Sequence, residues 1–198
     1  MAAGLAPVEI ELLAGFQEIA PCVEDGRTFE ENAGIKALHY GRHTSGLLFA
    51  DDSGLEVDAL DGAPGVFSAR FSLIHPPVAG PLLPVDQANN RLLLEKLRGV
   101  ENRSARFVCA IALAEDGKLR GVWRGAVEGI ILDQARGTGG FGYDPLFYCP
   151  QVGCAFGEAS EEQKFAVSHR GQALRAMIQA IGSQLGARPL RGARTEGV

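Results

Sequence analysis

The sequence is short of several features that mark whole classes of protein. Its 19 Lys and Arg residues are outnumbered by 24 Asp and Glu residues, for a net charge of −5, whereas gripping a nucleic-acid polymer needs a basic surface. No apolar stretch approaches the roughly 20 residues that cross a bilayer, and no basic segment followed by an apolar one opens the chain. We therefore expect a cytoplasmic protein that binds neither a nucleic-acid polymer nor a membrane.

Cysteine is also scarce. The four cysteines are too few and too irregularly spaced for a disulfide scaffold. Cys149 and Cys154 could bind a metal, but no second cysteine pair or His-x-x-x-His accompanies them, which disfavours a zinc site. Cys109 lies in an apolar run, which is typical of a reduced, buried thiol.

The chain has enough apolar residues to bury a sizeable core. A length of 198 residues with 46% hydrophobic content fits one domain or a single two-lobed unit. Strands alternate with helices around one central hairpin, so we predict a mixed α/β fold. We assign residues 1–186 to a single domain and predict that the Gly/Arg-rich tail, residues 187–198, is disordered.

Local patterns predict the main elements. Strands are predicted at residues 8–12 and 47–50, and a hairpin at 104–114 and 119–132 turns at Glu115-Asp116-Gly117. A capping box of Thr28 and Glu31 and a second one of Ser160 and Gln163 predict helix starts, as do caps at Asp86 and Ser168. Residues 71–85 are predicted to form a mobile loop.

Acidic residues follow the predicted buried strand at residues 47–50. Asp51-Asp52-Ser53-Gly54 comes directly after it, and Glu24 precedes the first helix. Mg²⁺ takes oxygen ligands and keeps several waters, so one or two carboxylates plus substrate phosphates suffice. On these residues alone, a metal site and a solvated turn are about equally supported. Lys36 lies one turn after Asn32 and could point toward the acidic residues.

A second cluster is dense in glycine, at residues 136–145. Four glycines expose backbone N–H groups, while Phe141 and Tyr143 offer flat faces on which a base could stack. Asp144 could accept hydrogen bonds from a ribose or a base. The alternative is a flexible loop, but two aromatics and an Asp-Pro pair are unusual in one.

A third cluster joins Lys164 to Ser168-His169-Arg170 near the start of the last helix. Cations at a helix N-terminus can bind an anion or a carbonyl group. For this stretch alone, ordinary surface charge is the better interpretation. The three clusters together supply carboxylates, cations and aromatics, which is the equipment of a metal-dependent nucleotide hydrolase or nucleotide-binding protein.

Several motifs in one order resemble the inosine/xanthosine triphosphate pyrophosphatase family. They cover roughly residues 20–180 and are as follows: Thr28-Phe29-Glu30-Glu31-Asn32-Ala33 with Lys36, Ala50-Asp51-Asp52-Ser53-Gly54-Leu55-Glu56-Val57-Asp58-Ala59-Leu60, Gly62-Ala63-Pro64-Gly65-Val66-Phe67-Ser68-Ala69-Arg70, Ala105-Arg106-Phe107, Gly139-Gly140-Phe141-Gly142-Tyr143-Asp144-Pro145 and Ser168-His169-Arg170.

The resemblance implies an elongated, mixed-sheet, two-lobed α/β fold with a central nucleotide cleft, usually as a homodimer. It also implies Mg²⁺-dependent hydrolysis of ITP, dITP and XTP to the monophosphate and pyrophosphate. By motif, Glu24 and Asp52 resemble metal ligands supported by Asp51, and Asp52 resembles the general base. The implied substrate-binding residues are Lys36, Ser53, Phe141, Gly142, Tyr143, Asp144, Lys164, His169 and Arg170, with His169-Arg170 reading the 6-oxo group.

One family motif does not occur in this sequence. The family usually opens with a strand that leads into a Thr/Ser-x-Asn-x-x-Lys phosphate-binding turn, and no such turn occurs here. The expectation is a misassigned or truncated start, and weak or absent hydrolysis by the chain as written. Two alternatives are a catalytically impaired nucleotide-binding protein and a pyrophosphatase that acts on other modified nucleotides.

Overall fold

A mixed β-sheet with packed helices organises the chain. The computed structural model describes residues 9–75, 83–182 and 190–193. The strand order is β1-β7-β2-β3-β4-β5-β6. Their bounds are Ile10–Leu12 (β1), Leu47–Val57 (β2), Ser104–Glu115 (β3), Lys118–Ile131 (β4), Phe147–Cys149 (β5), Cys154–Ala155 (β6) and Leu190–Ala193 (β7).

The sheet combines parallel and antiparallel pairs. β7 pairs in parallel with both β1 and β2, whereas β5 is antiparallel to β4 and to β6. β3 and β4 form the predicted hairpin, and its turn residues Asp116 and Gly117 have φ of 49° and 75°. Such positive φ values suit the tight turns that join antiparallel neighbours. The predicted α/β class is confirmed.

Helix starts follow the predicted capping residues closely. The helices are Phe29–Gly41 (α1), Phe71–Ile74 (α2), Val85–Lys96 (α3), Glu161–Val167 (α4) and His169–Gly182 (α5). Ser160 and Gln163 form the full capping box of α4. At α1 only half of the predicted box forms: Thr28 Oγ1 accepts from the Glu31 amide, but the Glu31 carboxylate accepts from the Arg27 amide instead of that of Thr28.

The prediction that the strand ends at Ala50 is wrong. β2 continues to Val57, so Asp51-Asp52-Ser53-Gly54 lies within the strand and is not a loop. Leu55 and Val57 are fully buried, so the chain returns to the core after the polar residues. At Gly54 the backbone passes so close to Ser68 that a Cβ would collide with its hydroxyl, which itself accepts from the Leu55 amide at 2.8 Å.

Two further segments differ from the predictions. Phe71–Ile74, placed in the predicted mobile loop, is helical (α2) because the buried Phe71 packs inward and the Ser72 amide donates to Asn89 Oδ1 at 2.8 Å. Residues 76–82 of that loop lie outside the described residues. Leu190–Ala193 forms β7, so the predicted disorder of the tail does not hold for these four residues.

The described chain divides into two compact units. Unit 1 contains described residues 9–52, 109–125, 170–182 and 190–193, and unit 2 contains 53–75, 83–108 and 126–169. In unit 1, Leu47 packs with Met177 and Ile181 of α5, whereas Leu48 packs with Tyr40 of α1. Neighbouring side chains of β2 therefore serve opposite faces of the sheet, as the two-residue period of a strand requires.

Unit 2 has its own core. Its largest fully buried side chains include Phe147, Phe156 and Leu93. The Phe107 ring stacks on Phe156 and is tilted against Phe147. Tyr143 belongs to this core and ties the glycine-dense segment to it. Within the described residues, no helix is both long enough and apolar enough to cross a membrane.

Candidate active site

A buried lysine holds two carboxylates together in unit 1. Lys36 Nζ lies 2.8 Å from Asp52 Oδ1 and 3.2 Å from Glu24 Oε2, and the Lys36 side chain is only 3% exposed. We call Glu24, Lys36 and Asp52 the carboxylate–lysine cluster. The prediction that Lys36 points toward the acidic residues is confirmed.

The start of α1 explains why Glu24 and Lys36 meet. Asn32, one turn before Lys36, is fully buried, and its Oδ1 accepts from the Gly26 amide at 2.8 Å. Gly26 packs so tightly that a Cβ there would lie 2.6 Å from Asn32 Oδ1. The segment carrying Glu24 is thereby held against the helix face that presents Lys36.

Burial and charge oppose each other at the Lys36–Asp52 pair. Burial acts to lower the pKa of Lys36, but the Asp52 and Glu24 carboxylates outweigh it and raise that pKa. Burial raises the pKa of Asp52 above its usual value, although Lys36 acts in the other direction. A carboxylate with a raised pKa is a stronger base, and a lysine with a raised pKa keeps its charge at neutral pH.

Asp51 faces away from this cluster. Because it precedes Asp52 on β2, its side chain points to the other face of the strand. There its Oδ2 accepts from Arg170 Nε at 3.0 Å and lies 3.9 Å from the thiol of Cys109. The structure thus pairs Asp51 with Arg170. This geometry does not support the predicted role of Asp51 beside a metal ion, and that role stays a prediction.

The carboxylate–lysine cluster fits a magnesium ion that is completed by substrate and water. Asp52 Oδ2 is buried and has no hydrogen-bond partner among the described residues, and Glu24 remains 27% exposed. Those residues contain no group of three or more His, Cys, Asp or Glu side chains placed as metal ligands. Mg²⁺ does not need such a group, because one or two carboxylates plus phosphates and waters hold it.

The glycine–aromatic loop, residues 136–145, lies in unit 2 and is built around Asp144. The Asp144 Oδ2 atom accepts from the Phe141 amide at 3.0 Å and from Lys164 Nζ at 2.8 Å. Gly140 leaves room for this arrangement, since a Cβ there would collide with the Asp144 carboxylate, and its φ is 74°. Asp144 of the loop and Lys164 of α4, which come from two different predicted clusters, are therefore direct partners.

The two aromatic rings of the loop differ sharply in exposure. Phe141 is 52% exposed, and Lys164 Nζ lies 5.8 Å from its ring centroid. Tyr143 is buried, and its hydroxyl donates to the Ser68 carbonyl at 2.9 Å. Burial, and secondarily the charge of Asp86, raise the pKa of Tyr143. Tyr143 therefore anchors the loop, and Phe141 offers the face on which a base can stack.

The remaining predicted residues lie on strand β2 and at the start of α5. His169 stacks on Phe107 at 5.0 Å with an interplanar angle of 14°. Its neighbour Arg170 pairs with Asp51 in unit 1. Ser53 follows Asp52 on β2 and is half-buried. Ser53, His169 and Arg170 thus lie on β2 and at the start of α5, and their roles in substrate binding stay predictions.

Sequence reasoning missed the residues of α3 that hold the loop. Asp86, predicted as a helix cap, lies inside the first turn, and Pro84 is the residue that precedes α3. Its carboxylate accepts from the Gly142 amide at 2.7 Å, and Asn90 Nδ2 donates to the Gly142 carbonyl at 3.0 Å. The sequence does contain one signal for them: Asp86 and Asn90 are four positions apart, so both lie on the face of α3 that also carries the buried Leu93.

Known proteins resemble the chain over most of its length. The sequence model of the Ham1 family matches residues 1–180. A dITP/XTP pyrophosphatase of Exiguobacterium sp. is 50% identical over 173 residues, which are 87% of this chain and 84% of that protein. A dITP/XTP pyrophosphatase of Acidobacterium capsulatum is 48% identical over 91% of this chain and 90% of that protein.

Solved structures agree with the sequence comparison. The Ham1 protein of Staphylococcus aureus matches with a TM-score of 0.73 and 38% identity, over 84% of this chain and 82% of that one. A HAM1 protein of Coxiella burnetii matches with a TM-score of 0.74 and 35% identity, over 89% of this chain and 100% of that one.

Proposed function

The chain belongs to the Ham1 family, and from this we propose that it hydrolyses the non-standard purine nucleotides dITP, ITP and XTP to the monophosphate and pyrophosphate. The observation that carries the proposal is the buried Lys36 between Asp52 and Glu24, a concentration of buried charge that is typical of functional sites. Such an enzyme removes damaged precursors from the nucleotide pool.

We assign the chemical step to Asp52. Its Oδ1 atom is held by Lys36, so Oδ2 is the atom left to meet the reaction. Its raised pKa suits a base that takes a proton from the attacking water. The oxygen of that water bonds to the α-phosphorus, the bond to the bridging oxygen breaks, and pyrophosphate leaves. Lys36, which holds Asp52, supplies positive charge for the phosphates.

We propose Mg²⁺ as the cofactor, held by Asp52 and Glu24 together with substrate phosphates. When bound, it would offset phosphate charge and lower the pKa of a coordinated water. The carboxylates of Asp52 and Glu24, with side chains 12% and 27% exposed, supply the oxygen ligands that Mg²⁺ takes. Chelation should abolish pyrophosphate release and added Mg²⁺ should restore it, whereas activity that persists in a chelator would remove the metal from the proposal.

We propose that the base binds at the glycine–aromatic loop. The exposed Phe141 ring can stack on a purine, and the backbone of the loop can meet its edge. His169-Arg170 is assigned to the 6-oxo group. Donors aimed at a 6-oxo group lose their partner when a 6-amino group replaces it, so adenine nucleotides should be rejected. Homodimer formation stays a prediction from the resemblance, and a cytoplasmic location stays a prediction from the sequence.

A substrate panel tests the function. The purified protein is assayed with XTP, dITP, dATP and dGTP, and kcat/KM is measured from pyrophosphate release. The 6-oxo group alone does not distinguish guanine, so the comparison of dITP with dATP tests the base assignment, with an expected preference of about 100-fold or more. Equal turnover of dITP and dATP would contradict the assignment of donors to the 6-oxo group. Pyrophosphate release from neither XTP nor dITP, even at high protein concentration, would contradict the function. Robust turnover would contradict the expectation that the missing phosphate-binding turn makes hydrolysis weak or absent.

A further inference from the structure

One face of α3 holds both polar groups of a single loop residue. The Asp86 carboxylate accepts from the Gly142 amide, and the Asn90 amide group donates to the Gly142 carbonyl, at 2.7 and 3.0 Å. Asp86 and Asn90 are one helical turn apart, so both side chains leave the same face of α3. The loop residue is thus held from both sides of its backbone by a helix more than 50 positions earlier in the chain.

Gly142 needs such a restraint. Its φ is 58°, in the left-handed region, and no heavy atom lies within 4 Å of where its Cβ would be. Glycine takes left-handed and right-handed conformations with similar ease. A turn bond from the Asp144 amide to the Phe141 carbonyl, at 3.2 Å, spans Gly142 within the loop. The two hydrogen bonds from α3 are the side-chain contacts that hold the Gly142 peptide groups themselves in the observed conformation.

The conformation of Gly142 sets the relation between its two aromatic neighbours. Tyr143 is fixed, because it is buried and its hydroxyl donates to the Ser68 carbonyl. Asn89 of α3 donates to the same carbonyl at 3.3 Å, which strengthens that anchor. Phe141 lies on the other side of Gly142 and is half exposed. A change of φ at Gly142 would therefore turn Phe141 relative to the anchored Tyr143.

We propose that Asp86 and Asn90 are positioning residues for nucleotide binding. They hold Gly142 in its left-handed conformation and thereby fix the face of Phe141 that receives the purine base. This inference rests on the proposed function, because it takes Phe141 as the stacking surface for the base. Neither residue touches the substrate in this role, and both act through the loop backbone.

Two substitutions of nearly equal volume test the role. Asn90→Asp replaces the donor that faces the Gly142 carbonyl with an acceptor, whereas Asp86→Asn keeps an oxygen that can accept from the Gly142 amide. We expect Asn90→Asp to raise KM for XTP, and the inhibition constant of XMP, about tenfold. In the same assays kcat should stay within about threefold of wild type. Asp86→Asn keeps the hydrogen bond but removes the charge on its acceptor, so it should raise KM less than Asn90→Asp does.

Two more variants and a control complete the set. Asp86→Ala and Asn90→Ala each remove one hydrogen bond without adding charge, and both should raise KM with kcat nearly unchanged. Glu95→Gln is the control, because Glu95 lies on α3 with its side chain 52% exposed and contacts only Arg91 among the ion pairs described. Thermal unfolding identifies any variant that fails to fold, and the alanine variants then decide in its place.

Hydrogen–deuterium exchange gives a readout that does not depend on activity. Peptides covering residues 136–148 should exchange faster in Asn90→Asp and Asp86→Ala than in wild type and in Glu95→Gln. Unchanged exchange, an unchanged KM, or a fall in kcat at constant KM in these folded variants would overturn the positioning role. If wild type releases no pyrophosphate from XTP, the proposed function fails, and exchange in the loop still decides whether α3 sets its conformation.

Discussion

In the carboxylate–lysine cluster, charged side chains hold one another, whereas in the glycine–aromatic loop, side chains from neighbouring helices hold the backbone. Lys36 of α1 lies between Asp52 of β2 and Glu24, which is in the segment before α1. Gly142 has no side chain and is held through its peptide groups. We therefore expect the carboxylate–lysine cluster to be sensitive to changes of charge, and the glycine–aromatic loop to changes of backbone conformation. Substitutions should therefore affect kcat and stability in the first, and KM in the second.

Asp52→Asn removes a charge from the carboxylate–lysine cluster and should have the largest effect on kcat of the four substitutions. The amide keeps the volume but loses the base, so kcat should fall about 1,000-fold or more while the fold persists. Pyrophosphate release and thermal unfolding measure the two quantities. Asp61→Asn is the matched control, since Asp61 is exposed with φ of 52°, a conformation that asparagine tolerates. Substantial activity in Asp52→Asn would remove Asp52 from the chemical step.

Lys36→Met leaves two carboxylates around a methyl thioether. Breaking a buried ion pair from one side costs about 3–5 kcal/mol, which for a chain of this size lowers Tm by about 10 °C. Activity should be lost as well. Lys118→Met provides the control, because Lys118 is an exposed lysine at the start of β4. A Tm within about 2 °C of wild type would show that the pair adds little to stability.

Gly140→Ala tests how sensitive the glycine–aromatic loop is to a change of its conformation. The new methyl group would collide with the Asp144 carboxylate and disturb its contacts with Lys164 and the Phe141 amide. KM for XTP should rise about tenfold, equivalent to one hydrogen-bonding contact to a charged group. Gly153→Ala is the matched control: Gly153 has a similar φ of 81°, but no atom lies within 4 Å of the added Cβ. Equal KM values for the two variants would contradict the steric argument.

Tyr143→Phe should give the smallest effect. It removes the donor to the Ser68 carbonyl and leaves the buried ring in place. The loss of about 1 kcal/mol should lower Tm by about 3 °C, with KM changed by less than about twofold. Tyr148→Phe, on the half-buried residue of β5, is the comparison. A large rise in KM without a change in Tm would mean that the Tyr143 hydroxyl serves the ligand and not the anchor.

The same two regions show what a sequence can predict. Capping at Thr28 and Ser160 and the turn at Asp116-Gly117 were predicted correctly, because those contacts join residues a few positions apart. The polar residues Asp51 and Asp52 were mistaken for a loop. The sequence indicated that Lys36 could face the acidic residues, but it gave no sign that Arg170 pairs with Asp51 on the other face of β2. These partners lie 16 and 119 positions away.

For the candidate site, the sequence predicted which residues take part better than it predicted which contacts they make. Family motifs named Lys36, Asp144 and Lys164, and the structure brings these into ion pairs. They did not reveal Asp86 and Asn90, because the partner of both residues is a backbone group of Gly142, to which a side-chain motif gives no clue. Contacts to peptide groups far along the chain become visible only once the fold places the helix against the loop.

The most direct test of the proposed hydrolysis, and of the role of Asp52 in it, is the set of products formed from dITP by wild type and by Asp52→Asn. The protein is incubated with dITP and Mg²⁺, and dIMP, dIDP, pyrophosphate and orthophosphate are quantified. We expect wild type to form dIMP and pyrophosphate in equal amounts, and Asp52→Asn to form almost no product. Formation of dIDP and orthophosphate, or equal product from both proteins, would contradict this expectation.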